Sequence, residues 1–303
     1  IAYCPVRGKD TADSTRRLRE VLHFYFDGKY DDMARIEVIC ADLQKEKFGL
    51  AEAAYTRLLD EVDTVINCAA SVKHYGSYKY FREANVETVL RLIAFCRARG
   101  AKLLHTSTLS VSGNSFADAF TGFVSKEEKH FYESSLYIGQ PLDNVYVRSK
   151  YEAEKAVLDA MADGLPANIL RMGNLTSRRS DGRFQINYAT NAFLQRVRGV
   201  LELGVFPDYL IRDTMYAEFT PVDEAARAVM TIARHFSTAQ TVFHINSTKT
   251  VPFDRLLAFF RALGRDVKIV DGDTFTAALR RSADAELMVM DILVPVSPSG
   301  TGN

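Results

Sequence analysis

Three reactive side-chain types lie at a spacing that suits reduction of a carbonyl. Ser107-Thr108-Leu109-Ser110-Val111-Ser112-Gly113 follows an apolar run, and Asn144-Val145-Tyr146-Val147-Arg148-Ser149-Lys150 opens a helical pattern further on. Together they offer a hydroxyl, a phenol and an ammonium. A nicotinamide-dependent reductase needs that set, because a proton must reach the carbonyl oxygen while hydride reaches the carbon. A free phenol has a pKa of about 10 and donates poorly near neutrality. An ammonium one helical turn away is expected to lower that pKa.

Context selects the pair. Tyr-x-x-x-Lys occurs at Tyr25/Lys29, Tyr75/Lys79, Tyr146/Lys150 and Tyr151/Lys155, unsurprising with 14 Tyr in the chain. Tyr25/Lys29 crosses Asp27-Gly28, a turn signal. Tyr75/Lys79 sits in a polar stretch after a strand. Tyr151/Lys155 shares a helix with Tyr146/Lys150 but points to another face. Only Tyr146/Lys150 lies at a helix entrance downstream of a strand ending in Ser/Thr. An amphipathic helix start with a solvated lysine is the plainer alternative, and Ser107 or Ser110 could stand in for Thr108.

These residues must be positioned by alternating strands and helices. Strands are expected at 1–6, 35–40, 64–68, 102–106 and 168–171, with helices at 11–26, 51–59, 80–99 and 145–161. Short apolar strands alternating with helices predict an α/β fold, a Rossmann-like doubly wound parallel sheet. In such sheets ligands bind at the carboxyl ends of strands. Beyond Gly173 the pattern changes: 177–185 reads as loop, 191–203 as helix, 209–218 as irregular, with a helix from Val222 to about His235. A strand at 241–246 and a helix at 253–263 follow, and 297–303 reads as a disordered tail. The expected division is a dinucleotide-binding domain at 1–176, to which 219–250 returns, and a smaller C-terminal substrate lobe of 177–218 and 251–303.

Bulk composition narrows the function classes. The 303 residues are 47% hydrophobic and 25% charged, with 38 basic and 38 acidic side chains. A balanced charge argues against nucleic acid as a partner. Cys4, Cys40, Cys68 and Cys96 form no Cys-x-x-Cys pair and read as reduced thiols of a cytoplasmic protein. No eighteen-residue apolar run and no signal-peptide pattern is present, so no membrane association is expected. The six histidines show no metal spacing, so no catalytic metal is expected. Dinucleotide folds normally open with a strand and a Gly-rich turn that brings pyrophosphate to a helix N-terminus. The first strand here ends instead in Val6-Arg7-Gly8, which suits the second strand of such a fold. A missing first strand and Gly-rich loop are therefore expected. The missing strand would lie centrally, and its absence would leave unpaired backbone groups or force rearrangement.

The residues resemble an extended short-chain dehydrogenase/reductase, and more closely the thioester reductase domains that terminate nonribosomal peptide synthetases and occur in carboxylic acid reductases. Tyr3-Cys4-Pro5-Val6-Arg7, the run Val65 to Gly76, Asn85-Val86, His105 to Gly113, Tyr146 to Lys155, Leu170 to Thr176, Ser180 to Gln185 and Phe219 to Asp223 carry the resemblance. It implies Thr108, Tyr146 and Lys150 as catalytic residues, Thr108 matching the family's hydroxyl by its distance from Gly113. It implies NADPH as cofactor: Arg7, with Arg17 as a second clamp, suits the 2′-phosphate. Asp42 and Leu43 would contact adenine, Ala69 and Ala70 would let backbone approach the cofactor, and Asn85 would orient that loop. Met172, Gly173, Asn174 and Leu175 would lie beside the nicotinamide. The implied partner is an acyl or peptidyl carrier protein with its phosphopantetheine arm, and the implied state is a monomeric domain of a larger synthetase. The implied activity is reductive release of the carrier-bound thioester as an aldehyde, with a second hydride giving an alcohol. Arg178, Arg179 and Arg183 are candidates for the arm's phosphate, and His74 for substrate contact. Gly113 and Gly122 bracket a candidate lid bearing Phe116, Phe120 and Phe123. Two other classes remain: a reductase or epimerase of a free nucleotide sugar or acyl-CoA, and a nonenzymatic binding module lacking the cofactor loop.

Overall fold

A computed structural model describes residues 1–72, 76–112, 131–212 and 216–281. His74, Gly113, Phe116, Phe120, Gly122 and Phe123 lie outside them. In chain order the elements are β1 (Ala2–Val6), α1 (Thr11–Phe26), β2 (Ile36–Cys40), α2 (Glu52–Glu61), β3 (Thr64–Asn67), α3 (Tyr78–Phe81), a π-helical turn (Arg82–Glu87), α4 (Thr88–Arg99) and β4 (Lys102–Thr108). Then come α5 (Val145–Ala162), β5 (Ala167–Met172), β6 (Leu175–Thr176), α6 (Ala192–Leu203), β7 (Val205–Pro207), α7 (Tyr209–Arg212), β8 (Tyr216–Glu218), β9 (Thr220–Pro221) and α8 (Val222–Arg234). β10 (Thr241–Ile245), β11 (Thr250–Pro252), α9 (Phe253–Ala262), β12 (Lys268–Val270) and α10 (Gly272–Arg281) complete the described chain.

The central sheet is parallel, in the order β10-β5-β4-β3. β4 and β5 are its inner strands, and every residue of β5 is buried, as expected where helices cover both faces. On one face Leu103 and Ile169 pack with Leu92, Phe95 and Cys96 of α4 and Ala153 and Val157 of α5. On the other, Leu104, Leu170 and Met172 pack against Ala225 and Val229 of α8. A separate apolar cluster joins Val200, Phe206, Leu210, Leu257, Phe260 and Phe275. Among the described residues no helix is long and apolar enough to cross a membrane, and no group of His, Cys, Asp and Glu is placed to hold a metal ion.

β1 and β2 form their own parallel pair and do not join the central sheet. Ala2 N–H donates to Arg35 O and Val6 O accepts from Ala41 N–H, so the even residues of β1 bond to β2 and the backbone of Tyr3 and Pro5 turns the other way. Lys102 N–H donates to Asp63 O, which likewise turns Thr64 and Ile66 away from β4. Ile66 is exposed, unlike an inner-strand residue.

Several elements differ from the sequence expectation. β4 runs through Thr108, so the Ser/Thr pair belongs to the strand. The predicted helix over 80–99 starts at Tyr78 and is interrupted by the π-helical turn around Asn85. The stretch 209–218 contains α7 and β8, and β12 and α10 follow α9. Strands of two or three residues are too short to show a period-2 pattern, which is why sequence periodicity missed them.

Candidate active site

Asn144 caps α5, its Oδ1 accepting from the backbone N–H of Tyr146 at 3.0 Å and Val147 at 3.1 Å. This starts the helix where Tyr146 falls in the first turn. Lys150 follows on the same face. β4 and β5 run in parallel register with Thr108 opposite Met172. The Thr108 hydroxyl lies within hydrogen-bonding reach of the Tyr146 phenol and donates to Ser110 Oγ at 3.2 Å. Lys150 Nζ donates to the carbonyl of Thr106 at 2.7 Å. The structure thus brings Thr108, Tyr146, Lys150 and Met172 together at the carboxyl ends of β4 and β5. By strand alternation Ser107 points to the opposite face from Thr108, where its Oγ is buried without a partner among the described residues.

Burial sets the electrostatics. It raises the Tyr146 phenol above its ordinary value, with the Thr108 hydroxyl acting against it. The expected lowering by Lys150 is therefore not what this arrangement produces: desolvation of the phenol dominates, and the ammonium is turned onto Thr106 O. Burial pushes Lys150 down to about 8, opposed by the negative charge of Glu154 and by Cys68. The ammonium is lost as pH rises through that value. Any Lys150-dependent step should accordingly decline above about pH 8 instead of near the free-lysine value of about 10.4. A kcat profile over pH 6–10 checks this, and a flat profile to pH 10 contradicts it.

A polar layer that sequence reasoning did not find lies beneath Lys150. Asn67 Oδ1 accepts from Ala69 N–H at 3.0 Å, so its amide nitrogen, 3.1 Å from His105 Nδ1, is the donor to it. Burial, with Lys150 acting the same way, holds His105 well below the ordinary imidazole range. The neutral ring then carries its proton on Nε2, which is buried without a partner among the described residues. Asn85 Oδ1 accepts from Ser71 N–H at 2.7 Å, and its amide donates to Ser71 O at 3.1 Å and Ser149 Oγ at 2.9 Å. It ties the loop after β3, with the exposed Ala69 and Ala70, to α5. Asn85 was read from the sequence as the residue that orients this loop; the Asn67–His105 and Asn85–Ser149 pairs were not visible there, because each joins segments distant in the chain.

The turn after β5 is held as closely. Gly173 N–H donates to Ile245 O at 2.9 Å, Asn174 N–H to Glu218 Oε2 at 2.6 Å, and Leu175 begins β6, paired with β9. The Thr220 hydroxyl also donates to Glu218. A Cβ on Gly173 would sit 2.6 Å from Thr220 Oγ1, 2.7 Å from Glu218 Oε2 and 2.8 Å from Asn246 Cβ. Gly173→Ala should therefore destabilise the fold by about 1–3 kcal/mol through overpacking and displace the turn. Thermal melting with a dinucleotide-binding titration checks both effects.

Arg7 and Arg17 are exposed at the end of β1, where Arg17 Nη1 donates to Arg7 O. Asp42 and Leu43 follow the adjacent β2. Asp42 Oδ1 accepts from Gln44 N–H, and Leu43 packs on the core. The three arginines expected to receive a phosphate are all paired: Arg178 with Asp181, Arg179 with Glu224, and Arg183 with Asp27 on α1. None of them offers a free guanidinium.

Parallel strands wrapped by helices, with polar side chains gathered at the strand carboxyl ends, define a Rossmann-like dinucleotide-binding fold. The chain belongs to the NAD-binding family described as male sterility protein, whose family model matches residues 2–229. It is similar to the L-2-aminoadipate reductase large subunit of Eremothecium gossypii, 28% identical over 291 residues, which are 94% of this chain and 20% of that protein. Among solved structures, a thiolation-reductase di-domain from an archaeal non-ribosomal peptide synthetase matches with a TM-score of 0.80 and 31% identity, over 97% of this chain and 60% of that one. The terminal R domain of the myxalamid PKS-NRPS pathway matches with a TM-score of 0.79 and 25% identity, over 99% and 74%. The chain spans about a fifth of the length of the curated relatives it matches.

Proposed function

We propose that this chain is the reductase domain of a larger synthetase and that it releases a carrier-bound acyl or peptidyl thioester as an aldehyde at the expense of NADPH. The observation that carries the reading is the grouping of the Thr108 hydroxyl, the Tyr146 phenol and the buried Lys150 ammonium at the carboxyl ends of β4 and β5, in a chain of an NAD-binding family. The named reductase relatives and the thiolation-reductase di-domain support the carrier-bound substrate.

The residues fit the cofactor's nicotinamide end: Tyr146 and Lys150 would hold the ribose, and Met172 to Leu175 would flank the ring. Arg7 and Arg17 would take the 2′-phosphate, Asp42 and Leu43 the adenine, with Ala69 and Ala70 allowing close backbone approach. We assign the free edges of β1 and β3 to a further parallel strand with a Gly-rich turn for the pyrophosphate, because among the described residues β1 pairs only with β2 and β3 only with β4. The segments 177–218 and 251–303 are assigned to the substrate lobe. When bound, NADPH supplies the hydride. Thr108 and Tyr146 donate hydrogen bonds to the thioester oxygen and stabilise its developing charge. Tyr146 Oη gives it a proton, forming a hemithioacetal. Loss of the thiol from that adduct leaves the aldehyde and the free pantetheine arm.

The test is NADPH consumption by the natural full-length protein given a pantetheine-linked acyl thioester, with mass spectrometry of the product. Aldehyde or alcohol formed in step with NADPH loss supports the reading. Turnover of a free nucleotide sugar or acyl-CoA in place of the pantetheine thioester overturns it. Cofactor choice is tested separately. Arg7→Ala should weaken NADPH binding roughly ten- to a hundredfold while leaving NADH binding nearly unchanged, since one charge-assisted hydrogen bond is worth about 1.5–3 kcal/mol. Fluorescence titration of both nucleotides reads the difference.

A further inference from the structure

Arg171, on β5 one residue before Met172, is fully buried, yet all five of its N–H donors are engaged. Nε lies 3.1 Å from Glu154 Oε2, and Nη2 donates to the same carboxylate at 2.9 Å and to Ser135 O at 2.6 Å. Nη1 donates to Tyr132 O at 3.1 Å and to His244 Nε2 at 3.2 Å. Its partner Glu154, also fully buried, stands one helical turn beyond Lys150 on α5, on the same face. A buried ion pair carries a desolvation penalty that well-packed apolar residues of similar volume avoid. Core packing alone therefore does not explain these two residue types, whereas their placement between Lys150 and the strand beside Thr108 does.

We propose that Glu154, locked by Arg171, is a positioning residue for Lys150: it fixes the ammonium-bearing face of α5 against the strand that carries Met172, and it keeps a negative charge one turn from the ammonium. The groups facing Lys150 are Cys68 after β3, His105 on β4, and Tyr146 and Glu154 on α5. Burial keeps the Cys68 thiol, the His105 ring and the Tyr146 phenol uncharged near neutrality. Glu154 is then the charged neighbour that favours the ammonium among the described residues. The inference deepens the reductase reading and rests on it for the role of Lys150.

The experiment follows the ¹³Cε resonance of Lys150 against pH in the full-length protein, assigned by its loss in Lys150→Met, and needs no turnover. In Glu154→Gln the midpoint should fall by about half a pH unit or more. The alkaline limb of NADPH consumption should move down with it. Should Glu154→Gln lack a cooperative melt, Glu154→Gln/Arg171→Met removes both charges together, and a smaller shift in the same direction is expected. A folded variant whose midpoint coincides with that of the unsubstituted protein overturns the proposal. Absence of turnover in the unsubstituted protein would instead count against the reductase reading, while the resonance still decides the role of Glu154.

Discussion

Tyr146→Phe should lower kcat by about 10²–10⁴, the contribution expected of a positioned proton donor. Burial keeps the phenol protonated at neutral pH, so under the proposed mechanism it would be present as an acid beside the Thr108 hydroxyl. The substitution removes one oxygen and leaves the ring, which packs with Phe81 and Val147. Thr108 keeps its bond to Ser110, so the loss of stability should stay near 1 kcal/mol. Dinucleotide affinity should change far less than kcat, because Lys150 remains fixed on Thr106 O. Single-turnover kinetics with a pantetheine thioester, alongside thermal melting, separates the two effects. A rate within tenfold of the unsubstituted protein, in a folded variant, would transfer the proton donor's role to the Thr108–Ser110 hydroxyls.

How much of this arrangement the sequence revealed depends on the range of the signal. α1 was legible from its helical spacing and from Asp27-Gly28 after it, a local turn signal; the structure shows a left-handed Asp27 there and adds an Asp10 cap at the start. The entrance of α5 was legible for the same reason, whereas β4 was expected to end at 106 and runs through Thr108. The turn around Gly173 was legible as a position but not as a constraint, since the atoms that forbid a Cβ come from Glu218, Thr220 and Asn246. The arginines at 179 and 183 read as open charges because their acidic partners at 224 and 27 are distant in sequence, whereas Arg178 pairs with Asp181 only three residues on. Lys150 shows the limit most clearly. Its type and spacing named the chemistry, but its charge balance depends on burial and on Glu154, and the expected lowering of the phenol gave way to desolvation. Glu154 and Arg171 each look like an ordinary charged residue until the fold brings them together.

Arg171→Met should cause the largest loss of stability of the substitutions considered. It keeps much of the side-chain volume but leaves the Glu154 carboxylate in a site with no exposure, which costs about 3–5 kcal/mol. It also strips the carbonyls of Tyr132 and Ser135 of a donor. For a domain of this size, roughly 2–4 °C per kcal/mol translates the loss into a fall in Tm of about 10 °C. Adding Glu154→Gln to Arg171→Met removes the stranded charge and should recover a substantial part of it, because the penalty belongs to the broken pair more than to either residue. Melting curves of the two single variants and the double, measured without ligand, decide the point. Simple additivity of the single effects would mean that Glu154 and Arg171 contribute independently. Strong recovery would mean that the catalytic helix and β5 are joined by one coupled pair, so that a charge change at either residue reaches Lys150 through both position and field.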